Sequence, residues 1–190
     1  KNNTEQLLNL VNDVLDLSRM ETGDLNFKFD DYSLTECCQR ALDSVRHRIP
    51  EGVELTFTPD IIPVTLHTDK LRLLQILTNL LTNSAKFTQK GEINLSYKVD
   101  EDGKQVHISV TDTGCGIPKE KQSSVFQRFE KLDDYKPGAG LGLSICTLIA
   151  DRLNGTFAID PTYENGARFI FTHPCGMPSS TCNRQTGEVN

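Results

Sequence analysis

Two asparagines and a lysine, Asn79, Asn83 and Lys86, stand at i, i+4 and i+7 within Asn79-Leu80-Leu81-Thr82-Asn83-Ser84-Ala85-Lys86. In a helix this spacing puts the three side chains on one face. Leu77, Leu80 and Leu81 then fall on the opposite side, as a core stripe. Amide oxygens are hard ligands suited to Mg2+, and a lysine ammonium answers phosphate charge. The polar face is therefore suited to form the floor of a site for an anion and its metal. Taken alone, the pattern fits an ordinary solvent-facing helix surface equally well.

Two glycine-rich segments follow. Asp112-Thr113-Gly114-Cys115-Gly116-Ile117 comes after an alternating, strand-like run from Val106 to Val110 that should end near Thr111. Gly114 and Gly116 permit positive φ and a backbone that a flat ligand can approach closely. Asp112 at the strand end can accept a hydrogen bond from an exocyclic amine. A tight turn with a polar aspartate cap is the competing interpretation. Pro118 and the missing third glycine exclude a dinucleotide fingerprint. Gly138-Ala139-Gly140-Leu141-Gly142-Leu143-Ser144-Ile145 then runs into an apolar stretch reaching Ala150. Alternating glycines before a helix aim backbone N–H groups and the positive helix end at a phosphate. No Lys-Ser or Lys-Thr closes the run, so it is no P-loop, and a flexible hinge stays open as an alternative. Freedom of φ and ψ is expected to matter at both Gly140 and Gly142.

The order of asparagine box, first glycine box, Phe126-Gln127-Arg128-Phe129 and second glycine box resembles the catalytic ATP-binding domain of bacterial sensor histidine kinases. These share one ATP-binding fold with gyrase-type topoisomerases, heat-shock chaperone ATPases and mismatch-repair ATPases. The similarity runs from about Thr4 to His173. It implies that ATP is held by Asn79, Asn83, Lys86, Asp112, Gly114, Gly116, Ile117, Phe126, Phe129, Gly138, Gly140, Leu141, Gly142 and Leu143. It also implies that Mg2+ is held by Asn83 and Asn79. Lys131, just after Phe129, stands where the family places a basic residue on the γ-phosphate, though a solvated surface lysine is an equal reading. With Asn79 and Lys86 it completes the expected catalytic set. The hydrolysing branches carry a Glu four residues before the metal-binding Asn. Here that place is Asn79, which cannot act as a base near neutral pH.

The chain has 190 residues, 37% of them hydrophobic, enough for one domain with an appendage. Its net charge of −6 argues against nucleic acid as a partner. No apolar run approaches a membrane span or signal peptide, so the expected setting is cytoplasmic, with a parent protein anchored in the inner membrane. Cysteines 37, 38, 115, 146, 175 and 182 show neither Cys-x-x-Cys spacing nor metal-ligand histidines, and are expected to be reduced thiols.

The expected fold is α/β (α+β): a two-layer sandwich of a mixed sheet with helices on one face, preceded by one long N-terminal helix. That helix covers Thr4 to about Met20, with Leu8 and Leu15 beside a seam of Leu7, Val11, Val14 and Ser18. By resemblance it is the second helix of a dimerisation and phosphotransfer hairpin, ending in Asp16-Leu17-Ser18-Arg19-Met20-Glu21-Thr22-Gly23. The resulting division is residues 1–22 for the hairpin helix, 23–175 for the catalytic domain and 176–190 for a loose tail. Strands are expected near 27–32, 53–58, 64–67, 92–99, 106–111, 156–160 and 167–172. A helix opened by a Ser33–Glu36 capping box, the asparagine-box helix over 69–87 and a helix over 141–153 complete the set. The segment from Glu130 to Pro137 is expected to form a lid over the triphosphate.

The resemblance implies a kinase that transfers the γ-phosphate of MgATP to a histidine, for relay to a response-regulator aspartate, within a homodimeric parent. None of His47, His67, His107 and His173 lies in the family's acceptor motif, so the acceptor helix is expected upstream, outside this chain. An ATPase, a nucleotide-sensing pseudokinase and a serine kinase of the same fold are the alternatives.

Overall fold

The computed structural model describes residues 8, 11, 12, 14–16, 18, 19, 22, 23, 26–130 and 140–175. Residues 8, 11, 12, 14–16, 18, 19 and 22 are helical. The remainder of the expected N-terminal helix and the tail after 175 lie outside the described residues.

Strand β1 (Asp30–Ser33) leads directly into helix α1 (Leu34–Val45), followed by a single 3-10 turn at Arg46–Arg48. Strands β2 (Val53–Thr58) and β3 (Thr65–Thr68) precede helix α2 (Lys70–Phe87). Then come β4 (Gly91–Val99), β5 (Gln105–Asp112), helix α3 (Gly142–Arg152), β6 (Thr156–Ile159) and β7 (Ala167–Pro174). The main sheet has the order β2-β4-β5-β7-β6, with β2 and β4 parallel and the other neighbours antiparallel. β1 and β3 form a separate antiparallel pair.

Alternation decides which face of the sheet is covered. Ile93, Leu95, Tyr97 and Val99 of β4 are buried, as are Val106, Ile108, Val110 and Asp112 of β5 and Ala167, Phe169, Phe171 and His173 of β7. They join the core of Leu73, Ile76, Leu77, Leu80 and Leu81 from α2 and Ile145 and Ile149 from α3. The two-layer mixed sheet is therefore as the alternation predicts.

Local chemistry sets the boundaries. Ser33 caps α1 by accepting from the Glu36 N–H at 3.4 Å. Asp69 caps α2 with one carboxylate oxygen, taking the Arg72 N–H at 3.0 Å, while the other takes the Lys28 N–H at 2.7 Å. This second bond explains why the expected strand at 27–32 begins only at Asp30. The Lys28 donor is spent on a side chain and not on a neighbouring strand.

The end of β7 is tied to the entry of α2 through His173, which is 1% exposed. Its Nδ1 faces the Pro174 carbonyl at 2.7 Å and must donate, so Nε2 accepts from the Thr68 hydroxyl at 3.1 Å. Burial pushes the His173 pKa below its ordinary 6.5, against a smaller upward pull from the Pro174 carbonyl. Below about pH 6.5 the unfolded chain takes a proton that the folded one refuses, so stability falls with pH, by at most about 1.4 kcal/mol per unit. Urea midpoints should drop between pH 8 and pH 5.5, and the drop should be smaller in His173→Gln. An equal drop in both proteins would refute this assignment.

Candidate functional site

The polar face of α2 floors a cavity of about 490 Å3. Gln75, Thr78, Asn79, Thr82, Asn83 and Lys86 come from this helix. Asp112 stands at one end, at the close of β5, beside Ala167 and Phe169 of β7. Gly116, Ile117 and Val125 wall the cavity after β5, and Glu130, Gly140, Leu141, Gly142 and Leu143 line it ahead of and into α3. Asn12 and Asp16 of the N-terminal segment, with Arg48, complete the rim.

Asp112, 3% exposed, is the most constrained of these groups. Oδ1 accepts from the Gly114 N–H at 3.0 Å and the Ala167 N–H at 3.3 Å. Oδ2 accepts from the Ser84 hydroxyl at 2.9 Å. The strand extends through Asp112, one residue past the expected end, because Asp112 still pairs with Ile93 and Ala167.

Asn79 and Asn83 are held differently. The Asn79 amide nitrogen points to the Gly142 carbonyl at 3.4 Å and to Cys146 Sγ at 3.7 Å, which leaves its oxygen for the cavity. The Asn83 side chain makes no hydrogen bond to any described residue. Both amides are thus suited to a hard cation shared with phosphate oxygens, which is how Mg2+ is usually held. Lys86 lies over the Phe87 ring, 4.9 Å from its centroid. Helix α3 opens without a side-chain cap, so its first N–H groups face the cavity end marked by Gly142 and Leu143.

Asp16 docks the N-terminal segment on α2. Its Oδ2 accepts from Arg72 Nη1 at 3.0 Å and from Gln75 Nε2 at 3.1 Å. Arg72 Nη1 also donates to Gln75 Oε1 at 2.7 Å, and its guanidinium lies over the Phe27 ring.

Of the residues singled out in the sequence, Asn79, Asn83, Lys86, Asp112, Gly116, Ile117, Gly140, Leu141, Gly142 and Leu143 meet on the cavity wall. Phe126 does not. It packs edge-on against Phe157 and Phe169, with centroids 5.6 and 6.4 Å away, half-buried against the core. Phe129 is 66% exposed, away from the wall. Gly114 sits behind the wall, where a Cβ would come within 2.6 Å of the Phe87 carbonyl and 2.8 Å of the Thr88 hydroxyl. Close approach, not positive φ, requires glycine there. Lys131, Gly138 and the expected lid beyond Glu130 lie outside the described residues. Ser84, Asp16 and Phe169 went unnoticed as site residues. For Ser84 a signal existed, since it continues the buried Leu77–Leu80 stripe by one further step.

A family profile described as "Histidine kinase-, DNA gyrase B-, and HSP90-like ATPase" matches residues 68–177. The chain belongs to this family. Hybrid signal transduction histidine kinase B of Dictyostelium discoideum is 34% identical over 184 residues, covering 92% of this chain and 9% of that protein. Autoinducer 2 sensor kinase/phosphatase LuxQ of Vibrio vulnificus is 32% identical over 200 residues, covering all of this chain and 23% of LuxQ. The chain therefore spans less than a quarter of either relative. Among solved structures, full-length ShkA in complex with AMPPNP aligns with a TM-score of 0.81 at 30% identity, over 90% of this chain and 36% of ShkA. The mycobacterial sensor histidine kinase MprB aligns with a TM-score of 0.68 at 27% identity, over 78% of this chain and 98% of the MprB chain. The matched residues include the α2, β5 and α3 segments that line the cavity.

The two glycines expected to behave alike do not. Gly140 takes φ +71, and a Cβ there would lie 2.6 Å from the Glu130 carbonyl oxygen. Gly142 opens α3 with an ordinary φ, and its Cβ would meet only the Asn79 amide, at 3.8 Å. Gly140→Ala should therefore lose about 1–2 kcal/mol of stability from the left-handed conformation alone. Gly142→Ala should stay within about 0.5 kcal/mol of the parent protein. Equal thermal midpoints for the two variants would contradict the loop geometry.

Proposed function

We propose that this chain is the ATP-binding kinase unit of a two-component sensor histidine kinase, transferring the γ-phosphate of MgATP to a histidine on another helix for relay to a response-regulator aspartate. The observation that carries this reading is the state of the residue one turn before Asn83. Asn79 is an amide, its nitrogen is tied to α3, and it offers no base to activate water. Among the described residues, each carboxylate on the cavity wall accepts a hydrogen bond: Asp112 from three donors, Asp16 from Arg72 and Gln75, and Glu130 from the Ser124 hydroxyl at 3.3 Å, which also lies 3.2 Å from the Lys121 carbonyl. A site so furnished binds a nucleotide and keeps its terminal phosphate for an outside nucleophile.

In this reading Asp112 receives the adenine amine, and Asn83 with Asn79 would hold Mg2+. The metal, when bound, supplies charge neutralisation across the phosphate oxygens. Lys86, the free N–H groups of α3 and Lys131 orient the triphosphate. Catalysis then rests on positioning and on charge, without covalent chemistry by the protein.

The division into a hairpin helix (1–22), a catalytic domain (23–175) and a tail belongs to the same proposal. So do a homodimeric parent and a cytoplasmic setting with the parent anchored in the inner membrane. Support for pairing comes from Leu8, Val11, Val14 and Leu15, all apolar and between 45% and 61% exposed. No helix among the described residues is long and apolar enough to cross a membrane.

The test is transfer in trans. Incubated with γ-labelled ATP, Mg2+ and a separately made hairpin bearing an acceptor histidine, the chain should give acid-labile, base-stable phosphate on the hairpin. Asn83→Ala should lower Mg2+-dependent ATP affinity by roughly tenfold or more while the fold survives, since an amide oxygen would be lost from a sparsely liganded metal. Unlabelled hairpin despite intact ATP binding would refute the kinase reading.

A further inference from the structure

We propose that Ser84 is a positioning residue for base selection. Its hydroxyl fixes Asp112 so that the pair shows the cavity only hydrogen-bond acceptors, which admits a 6-aminopurine and refuses a 6-oxopurine. The inference rests on the reading of Asp112 as the group that receives the base.

The hydroxyls of α2 divide into two kinds. Thr78 donates to the Leu74 carbonyl at 2.8 Å and Thr82 to the Thr78 carbonyl at 2.7 Å, each folded back onto its own helix. Ser84, 2% exposed, instead reaches across to β5 and donates to Asp112 Oδ2 at 2.9 Å. The two residues are 28 apart in sequence, and both line the cavity.

Counting lone pairs gives the consequence. A carboxylate offers about four acceptor positions, two on each oxygen. On Oδ1 both are taken, by the N–H groups of Gly114 and Ala167. On Oδ2 one is taken by Ser84, leaving a single acceptor position. The one proton of the Ser84 hydroxyl is committed to Asp112, so its oxygen also presents only lone pairs. An exocyclic amine finds its partner at Oδ2. A ring carbonyl in the same place meets two oxygens and no donor, and mismatched polar groups buried together discriminate strongly.

Without the hydroxyl this selection weakens. Ser84→Ala opens a space of hydroxyl size beside Oδ2, on the cavity side. Water entering there can turn either way, accepting or donating, and so can satisfy a carbonyl. Asp112 also loses one of the bonds that fix its orientation.

The experiment is calorimetric titration of the whole chain with the Mg2+ complexes of ATP, GTP and purine riboside triphosphate, which lacks the 6-amino group. For Ser84→Ala, ATP affinity should fall about fivefold, and the ATP-over-GTP preference should shrink by roughly tenfold or more. Affinity for purine riboside triphosphate should hold within about twofold of the unmodified chain, because that base makes no amine bond to lose. Ser84→Thr, which keeps the donor, should retain the preference. Equal losses for all three nucleotides in Ser84→Ala would overturn the proposal and leave Ser84 a supporting residue only. If Ser84→Ala does not fold, Ser84→Cys, with its weaker donor, should give an intermediate preference, and an unchanged one would overturn it. Failure of the unmodified chain to distinguish ATP from purine riboside triphosphate would refute the Asp112 reading itself, independently of any Ser84 variant.

Discussion

The burial of one stripe of α2 against the sheet constrains everything else in the molecule. Leu73, Ile76, Leu77, Leu80 and Leu81 are each no more than 1% exposed. Each contributes on the order of 1.5–3 kcal/mol relative to an exposed side chain. The helix cannot rotate by a single residue, about 100°, without withdrawing several of them from the core. That rotational lock is what aims Asn79, Asn83 and Lys86 at the cavity. This polar face is held in place because its reverse side is core, and no loop has to position it.

Asp69 and Asp112 bracket this helix and extend the constraint to the rest of the chain. Asp69 caps its first turn while holding the connector at Lys28, and Asp16 grips Arg72 and Gln75 on the same turns. The N-terminal segment and the cavity floor are therefore joined through the opening of one helix. At the other end Ser84 ties the helix to Asp112, and Asp112 to the backbone of β7 at Ala167. The Asp112 end of the cavity and the face bearing Asn79, Asn83 and Lys86 are thereby fixed relative to each other within one packed unit.

Much of this was legible in the sequence, for local reasons. Helical spacing predicted the shared face of Asn79, Asn83 and Lys86, and strict alternation predicted β5 to within one residue of its end at Asp112. The Ser33–Glu36 cap also depends only on near neighbours. What escaped depends on long-range partners. Nothing near Ser84 shows that its donor crosses to a strand, and nothing near Lys28 shows that its N–H meets Asp69. The packing of the phenylalanine box was hidden for a related reason. Phe126 finds its partners in Phe157 and Phe169, which the sequence places far away, so it packs against the core behind Phe169 of the cavity wall. Gly142 misled because alternating glycines look equivalent, whereas only Gly140 carries the left-handed backbone of that pair.

The central claim is that this site holds MgATP without activating water. The most direct measurement follows the chain with saturating MgATP, in the absence of any acceptor hairpin, by rapid quench and separation of nucleotides. The account predicts stoichiometric binding with ATP recovered intact, since the place one turn before Asn83 is held by Asn79, an amide that provides no base. Steady release of inorganic phosphate at rates typical of a dedicated ATPase would contradict it.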